Sequence, residues 1–129
     1  MRNLYKFILL CSSLILTACQ THETSSQITS KTVNYTCGIN ADQPIEVTYY
    51  FHGKKVIGAD LDFQGRDLLN FKIMPDQKDI FYFNNPDDFV WSVDKFNINS
   101  VKQAEGNMLY KHTKDQDEVI VKYCSIKNH

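Results

Sequence analysis

The sequence predicts an all-β protein, a small eight-stranded antiparallel barrel, and three observations carry that expectation. Between residues 32 and 124 the apolar residues recur every second position, the period of a half-buried strand rather than of a helix. Clusters of Gly, Pro, Asn, Asp and Gln interrupt the alternation every few residues, as hairpins require. Cys37 closes the first alternating run and Cys124 the last, so joining them sets the two ends of the chain side by side. A two-sheet sandwich is the competing arrangement for eight short strands. The cysteine positions favour the barrel, whose first and last strands are neighbours across the closing seam.

The runs are read in order. "TVNYTC" is the first. "PIEVTYYFHG" follows, with Ile45, Val47, Tyr49 and Phe51 on one face and Glu46, Thr48, Tyr50 and His52 on the other. After "HGKK" the pattern resumes with Ile57, Ala59, Leu61 and Phe63 inward, and after "QGRD" with Leu69, Phe71 and Ile73. "IFYFN" comes next. "FVWSV" then places Phe89, Trp91 and Val93 together, and "MLYKHT" and "EVIVKYC" complete the set. No window of a dozen residues carries a helical stripe.

The start of the chain has a different character. Arg2 and Lys6 precede an apolar stretch of roughly a dozen residues that ends in small ones, the layout of a secretory leader. The stretch falls short of the ~20 residues a membrane-spanning helix needs. Leu16, Thr17 and Ala18 lead directly into Cys19, which resembles the lipobox of bacterial lipoproteins. That resemblance implies cleavage after residue 18 and a lipid thioether on Cys19, with the acyl chains anchoring the protein to a membrane. Gln20 stands where inner-membrane retention uses Asp, so the outer membrane is expected. Cys11 then leaves with the leader and Cys19 is blocked. Only Cys37 and Cys124 remain to pair, in an exported compartment that permits a disulfide. Residues 19–31, polar and rich in Ser and Thr, read as the acylated cysteine and a flexible tether, and residues 32–129 as one domain.

Charge narrows the range of partners. The whole chain carries 14 basic and 15 acidic side chains. Loss of Arg2 and Lys6 leaves 12 against 15, a net −3, a sign that disfavours nucleic acid. Catalytic motifs are absent from the sequence: there is no nucleophile elbow, phosphate loop or dinucleotide fingerprint, and the histidines at 22, 52, 112 and 129 have no zinc spacing. No enzyme activity, cofactor or metal is expected. Asp60 with Asp62, and the acids of "KDQDE", read as solvated surface. "NNPDDFVWSVDKF" is the candidate binding segment. It sets Asp87 and Asp88 in a turn, then Trp91, then Asp94 and Lys95, an aromatic among charges of the kind that anchors protein interfaces. Alternation with Phe89 and Val93 gives Trp91 a second reading, as core.

"TVNYTCGINADQPIEVTYYF" resembles the opening of the bacterial adhesin complex proteins, which go with the membrane-bound inhibitors of C-type lysozyme (MliC-like proteins). The resemblance rests on Tyr35-Thr36-Cys37, on Val47-Thr48-Tyr49 and on the closing "EVIVKYC". It implies an eight-stranded antiparallel barrel with a disulfide near the termini. It also implies a lipoprotein that binds host C-type lysozyme, a strongly basic enzyme, and blocks its cleft, or one that adheres to host surfaces. The lysozyme-inhibitor branch inserts residues from a Ser-Gly-rich loop and a Phe-Trp-x-Lys-Gly stretch. This chain has neither, and Lys95 follows Trp91 by four places, so those inhibitory residues are not carried over.

Overall fold

A computed structural model describes residues 27–75 and 78–127. The expected leader (residues 1–18), the lipidation site Cys19 and the tether up to residue 26 lie outside the described residues. The chain forms nine strands: β1 (Ile28–Cys37), β2 (Gln43–His52), β3 (Lys55–Phe63), β4 (Arg66–Ile73), β5 (Ile80–Asn84), β6 (Phe89–Asp94), β7 (Gly106–His112), β8 (Asp117–Lys122) and β9 (Ser125–Ile126). All belong to one sheet, in the order β8-β7-β6-β5-β4-β3-β2-β1-β9. The eight expected strands are all present, each antiparallel to its chain neighbour. Among the described residues no helix is long and apolar enough to cross a membrane.

The sheet curls into a half-barrel rather than the closed eight-stranded barrel the sequence predicts. Its two edges meet at one level only. Cys37 is disulfide-bonded to Cys124, the Gly38 N–H donates to the Lys122 carbonyl at 2.8 Å, and β9 pairs with β1 through Tyr35–Ile126 and Thr36–Ser125. The reason is a kink. Tyr123 sits at φ 58°, a left-handed conformation that extended strands do not adopt. The kink ends β8 at Lys122 and leaves the seam to the two-residue β9.

β1 starts four residues earlier than the alternation suggests. Ile28 to Lys31 pair with His52 to Tyr49, because the edge of β2 supplies ladder hydrogen bonds to a segment whose side chains need no burial. β1 thus reaches back into the segment that the sequence reads as tether.

Packing follows the period of two along β1 and β2, whereas β6 is buried at five consecutive positions, Phe89 to Val93. Tyr35, Ile45, Val47, Tyr49, Phe51, Trp91 and Leu109 are all buried. Two bulges reverse the expected faces. Opposite the β2–β3 register shift at Tyr50/Phe51, Val56 turns in and Ile57 turns out. Opposite Asp60, β4 carries an extra residue, with Asn70 at φ 65°. Leu68 is buried there in place of Leu69, since one inserted residue exchanges faces. The Asp60 carboxylate holds this bulge, accepting the Asn70 N–H at 2.9 Å and the Tyr50 hydroxyl at 2.7 Å.

A loop stops one end of the half-barrel. Between β6 and β7, Phe96 packs its ring 4.7 Å from that of Tyr49, and Val101 and Ala104 are buried beside it. The Lys31 ammonium donates to the Ile98 carbonyl at 3.1 Å. At the centre Tyr35 and Trp91 meet edge to face at 5.2 Å. Gly106 crosses them so closely that a Cβ there would stand 3.0 Å from each ring and 3.1 Å from the Cβ of Cys124.

Candidate functional site

The up-and-down order sends successive connections to opposite ends. Connections 38–42, 64–65, 85–88 and 113–116 share one end; 53–54, 74–79 and 95–105 share the other, together with the start of β1. Charge follows the same division. The first group holds Asp42, Asp87, Asp88 and Asp115 against Lys114. The second holds Lys54, Lys78, Lys95 and Lys102 against Asp76, Asp79 and Glu105, a small basic excess. The domain thus has an acidic end and a basic end, and the chain enters at the basic one.

At the acidic end the β5–β6 turn is built around a buried amide. Asn85 Oδ1 accepts the N–H groups of Asp87 at 3.1 Å and Phe89 at 2.9 Å, and its carbonyl accepts that of Asp88 at 3.1 Å. The Asp88 carbonyl in turn accepts the His112 N–H at 2.8 Å. These bonds fix the backbone and leave both carboxylates exposed.

A second acidic feature runs over the outside of the sheet. Glu46 faces Asp62 across β2 and β3, and Asp62 faces Asp67 across β3 and β4, all three exposed. Like charges directly opposite one another on a sheet are destabilising. The row is therefore a surface electrostatically primed for a cation-rich partner.

Beside the seam lies an apolar patch. Ile39 in the β1–β2 turn is 89 % exposed, Tyr123 59 % and Val119 50 %, and they border a hollow of about 520 Å³ between that turn and β8. Lys122 lies over the Tyr123 ring at 5.0 Å. β8 is an edge strand whose first four residues are all exposed. Farther along, Arg66 and Lys111 approach the Phe89 ring at 5.4 and 5.1 Å.

The segment singled out in the sequence is taken apart by the fold. Asp87 and Asp88 stand at the acidic end. Asp94 and Lys95 stand at the other end of β6, about 20 Å away at ordinary strand rise. Trp91 between them is fully buried, its indole N–H donating to the Tyr49 hydroxyl at 2.9 Å. Trp91 is core and is not available to a partner. Ile39, Tyr123 and the carboxylate row replace it as features of the surface. Ile39 had a signal in the sequence, an apolar residue stranded in "GINAD". The row had none, because it exists only once the strands are in register.

Catalytic geometry is thin. His112 Nδ1 and Asp117 Oδ1 are 2.7 Å apart at the exposed start of the β7–β8 turn, a solvated pair worth little. His52 is exposed. Among the described residues no group of three or more His, Cys, Asp or Glu side chains is arranged to hold a metal.

Residues 31–126 match the family model of the ACP-like domain, Nm-ACP. No curated protein matches the chain. The matched span runs from within β1 to the end of β9, taking in both disulfide cysteines and the carboxylate row. The chain belongs to the ACP-like domain family.

Proposed function

We propose that this protein is a lipid-anchored lipoprotein of the outer membrane that binds host C-type lysozyme and occludes its active-site cleft. The observation that carries the reading is the polarity of the domain. Acidic side chains outnumber basic ones in the connections at the end opposite the point where the chain enters, so an anchor at Cys19 presents the acidic end outward. A basic enzyme is drawn to such a surface, since complementary potentials speed encounter and orient it. The exposed Ile39, Val119 and Tyr123 beside the acids supply the apolar contact that steering alone does not give. Lysozyme acts with two carboxylates on a glycan laid in its cleft, so a domain seated across that cleft excludes substrate without inserting a residue into it.

Among the described residues every core residue lies between Val33 and Cys124, so residues 20–129 serve as the test protein. In oxidised form they should slow lysis of a peptidoglycan suspension by C-type lysozyme at near-stoichiometric dose. Undiminished lysis in molar excess of folded inhibitor would sink the reading. For the anchor, Cys19→Ala should release the full chain from membrane fractions.

The open edge of β8 and its exposed Val119 favour a second reading, attachment to a host surface with no enzyme target. It predicts host-cell binding that is lost without the domain while lysozyme activity stays normal.

A further inference from the structure

We infer that the basic end of the domain is itself a lipid-binding surface, taking an anionic membrane phospholipid with its acyl chain in a hollow and its headgroup on three lysines. This goes beyond the lysozyme reading, and only its choice of occupant rests on the lipid anchor proposed at Cys19.

The hollow has a volume of about 510 Å³ and opens between the β2–β3 turn, the end of β4 and the start of the β6–β7 loop. Its walls are apolar. Ile73, Phe81 and Phe96 line it, and the Phe81 and Phe96 rings meet edge to face at 5.3 Å. Met74 stands at its border, 38 % exposed, an unbranched side chain able to adapt to a flexible guest. Around the mouth are Lys54, Lys55 and Lys95, all exposed, with no acidic residue in the lining. Among the described residues none of the three is ion-paired. The nearest acidic residues along the chain are Asp76, next to Pro75 in sequence, Asp94, next to Lys95, and Asp79, whose backbone carbonyl accepts the Lys95 N–H at 3.1 Å.

Three unpaired ammonium groups around an apolar opening, on a domain of net negative charge, call for a ligand with an anionic head and a hydrocarbon tail. Position selects which one. β1 starts with Ile28 opposite His52, one residue before the β2–β3 turn that carries Lys54. The chain therefore leaves from the same end as the hollow, along the segment that leads in sequence to the anchor proposed at Cys19. A membrane reached by that segment lies against this face, and its anionic phospholipids are the matching occupant. Lysines close to an anionic surface each strengthen binding by about fivefold.

The test uses residues 20–129 without acylation, floated with vesicles containing phosphatidylglycerol or with vesicles of pure phosphatidylcholine. Binding to the first and not the second, weakened by salt, is expected. Lys54→Glu, Lys55→Glu and Lys95→Glu together should weaken it by on the order of a hundredfold, with an unchanged melting temperature. Lys114→Glu at the acidic end should leave it unaltered. Met74→Gln should remove the part of the binding that resists salt. Equal binding to neutral vesicles, or a triple variant that floats like the parent, would overturn the proposal. So would self-association in sedimentation that the triple variant abolishes without any vesicle binding, since the occupant would then be a second copy.

Discussion

The hydroxyl oxygens of Tyr35 and Tyr49 lie 2.8 Å apart in the fully buried centre of the half-barrel. They join the first two strands, and the Trp91 indole N–H, donating to Tyr49 at 2.9 Å, brings in the sixth. Three large aromatics from distant parts of the chain are thus fixed by polar contacts inside an apolar core. Tyr49→Phe keeps the ring and removes the acceptor, leaving the indole N–H buried without a partner. The expected loss is about 1–3 kcal/mol, read as a lower urea midpoint at an unchanged slope.

Burial pushes the phenols of Tyr35 and Tyr49 well above the ordinary tyrosine value. A raised folded pKa means that the native state holds its protons more tightly than the unfolded chain. Their contribution to stability is therefore complete below the unfolded value of about 10 and is lost as pH rises beyond it. Thermal unfolding followed through that range should show the melting temperature falling above about pH 10, and Tyr49→Phe should make the fall shallower. A melting temperature that stays level there would contradict the assignment.

Gly106→Ala places a methyl against Trp91, Tyr35 and Cys124 at once. Neither ring has room to retreat, and overpacking of this kind costs about 1–3 kcal/mol. Calorimetry on the oxidised protein should show the loss. The Trp91 fluorescence should shift if the indole is displaced.

Removing the disulfide with Cys37→Ala and Cys124→Ala frees two residues 87 apart in sequence. The chain-entropy relation puts the cost at about 4–5 kcal/mol, a large share of the stability of a domain this size. Denaturant titration of the double variant against the oxidised parent measures it.

Charge reversal tests the acidic end. Asp87→Lys with Asp115→Lys leaves the Asn85 turn bonds intact, because Asp87 contributes only its backbone N–H to that turn and Asp115 lies outside it. Association with C-type lysozyme should slow by about tenfold at low salt, with the difference closing as salt is raised. Equal rates in stopped flow would place the contact elsewhere.

Much of the fold was legible in the residues. All eight runs became strands because alternation and turn chemistry agree locally, as at "PIEVTYYFHG", where the four predicted inward residues are the buried ones. The misses share a cause. Ile57 and Leu69 turn outward because a period of two does not carry across a bulge, and a bulge depends on the partner strand. Closure was overestimated because nothing in "KYCSI" announces the left-handed turn at Tyr123. The site was less legible than the fold. Asp87, Trp91 and Asp94 are near in sequence but not in space, because a strand separates its ends and buries its middle. The row of Glu46, Asp62 and Asp67 is the converse, residues distant in sequence that register brings together.

Every strand from β1 to β8 finds its partner in the next segment of chain, and only the pairing of β9 with β1 spans the molecule. Hairpins of this kind form quickly, whereas a search across some ninety residues carries a loop-closure penalty before any contact rewards it. With Cys37 and Cys124 already joined that search is over before refolding begins. Oxidised chains should therefore regain structure at the pace of their hairpins, and reduced chains should lag behind by the time it takes their two ends to meet.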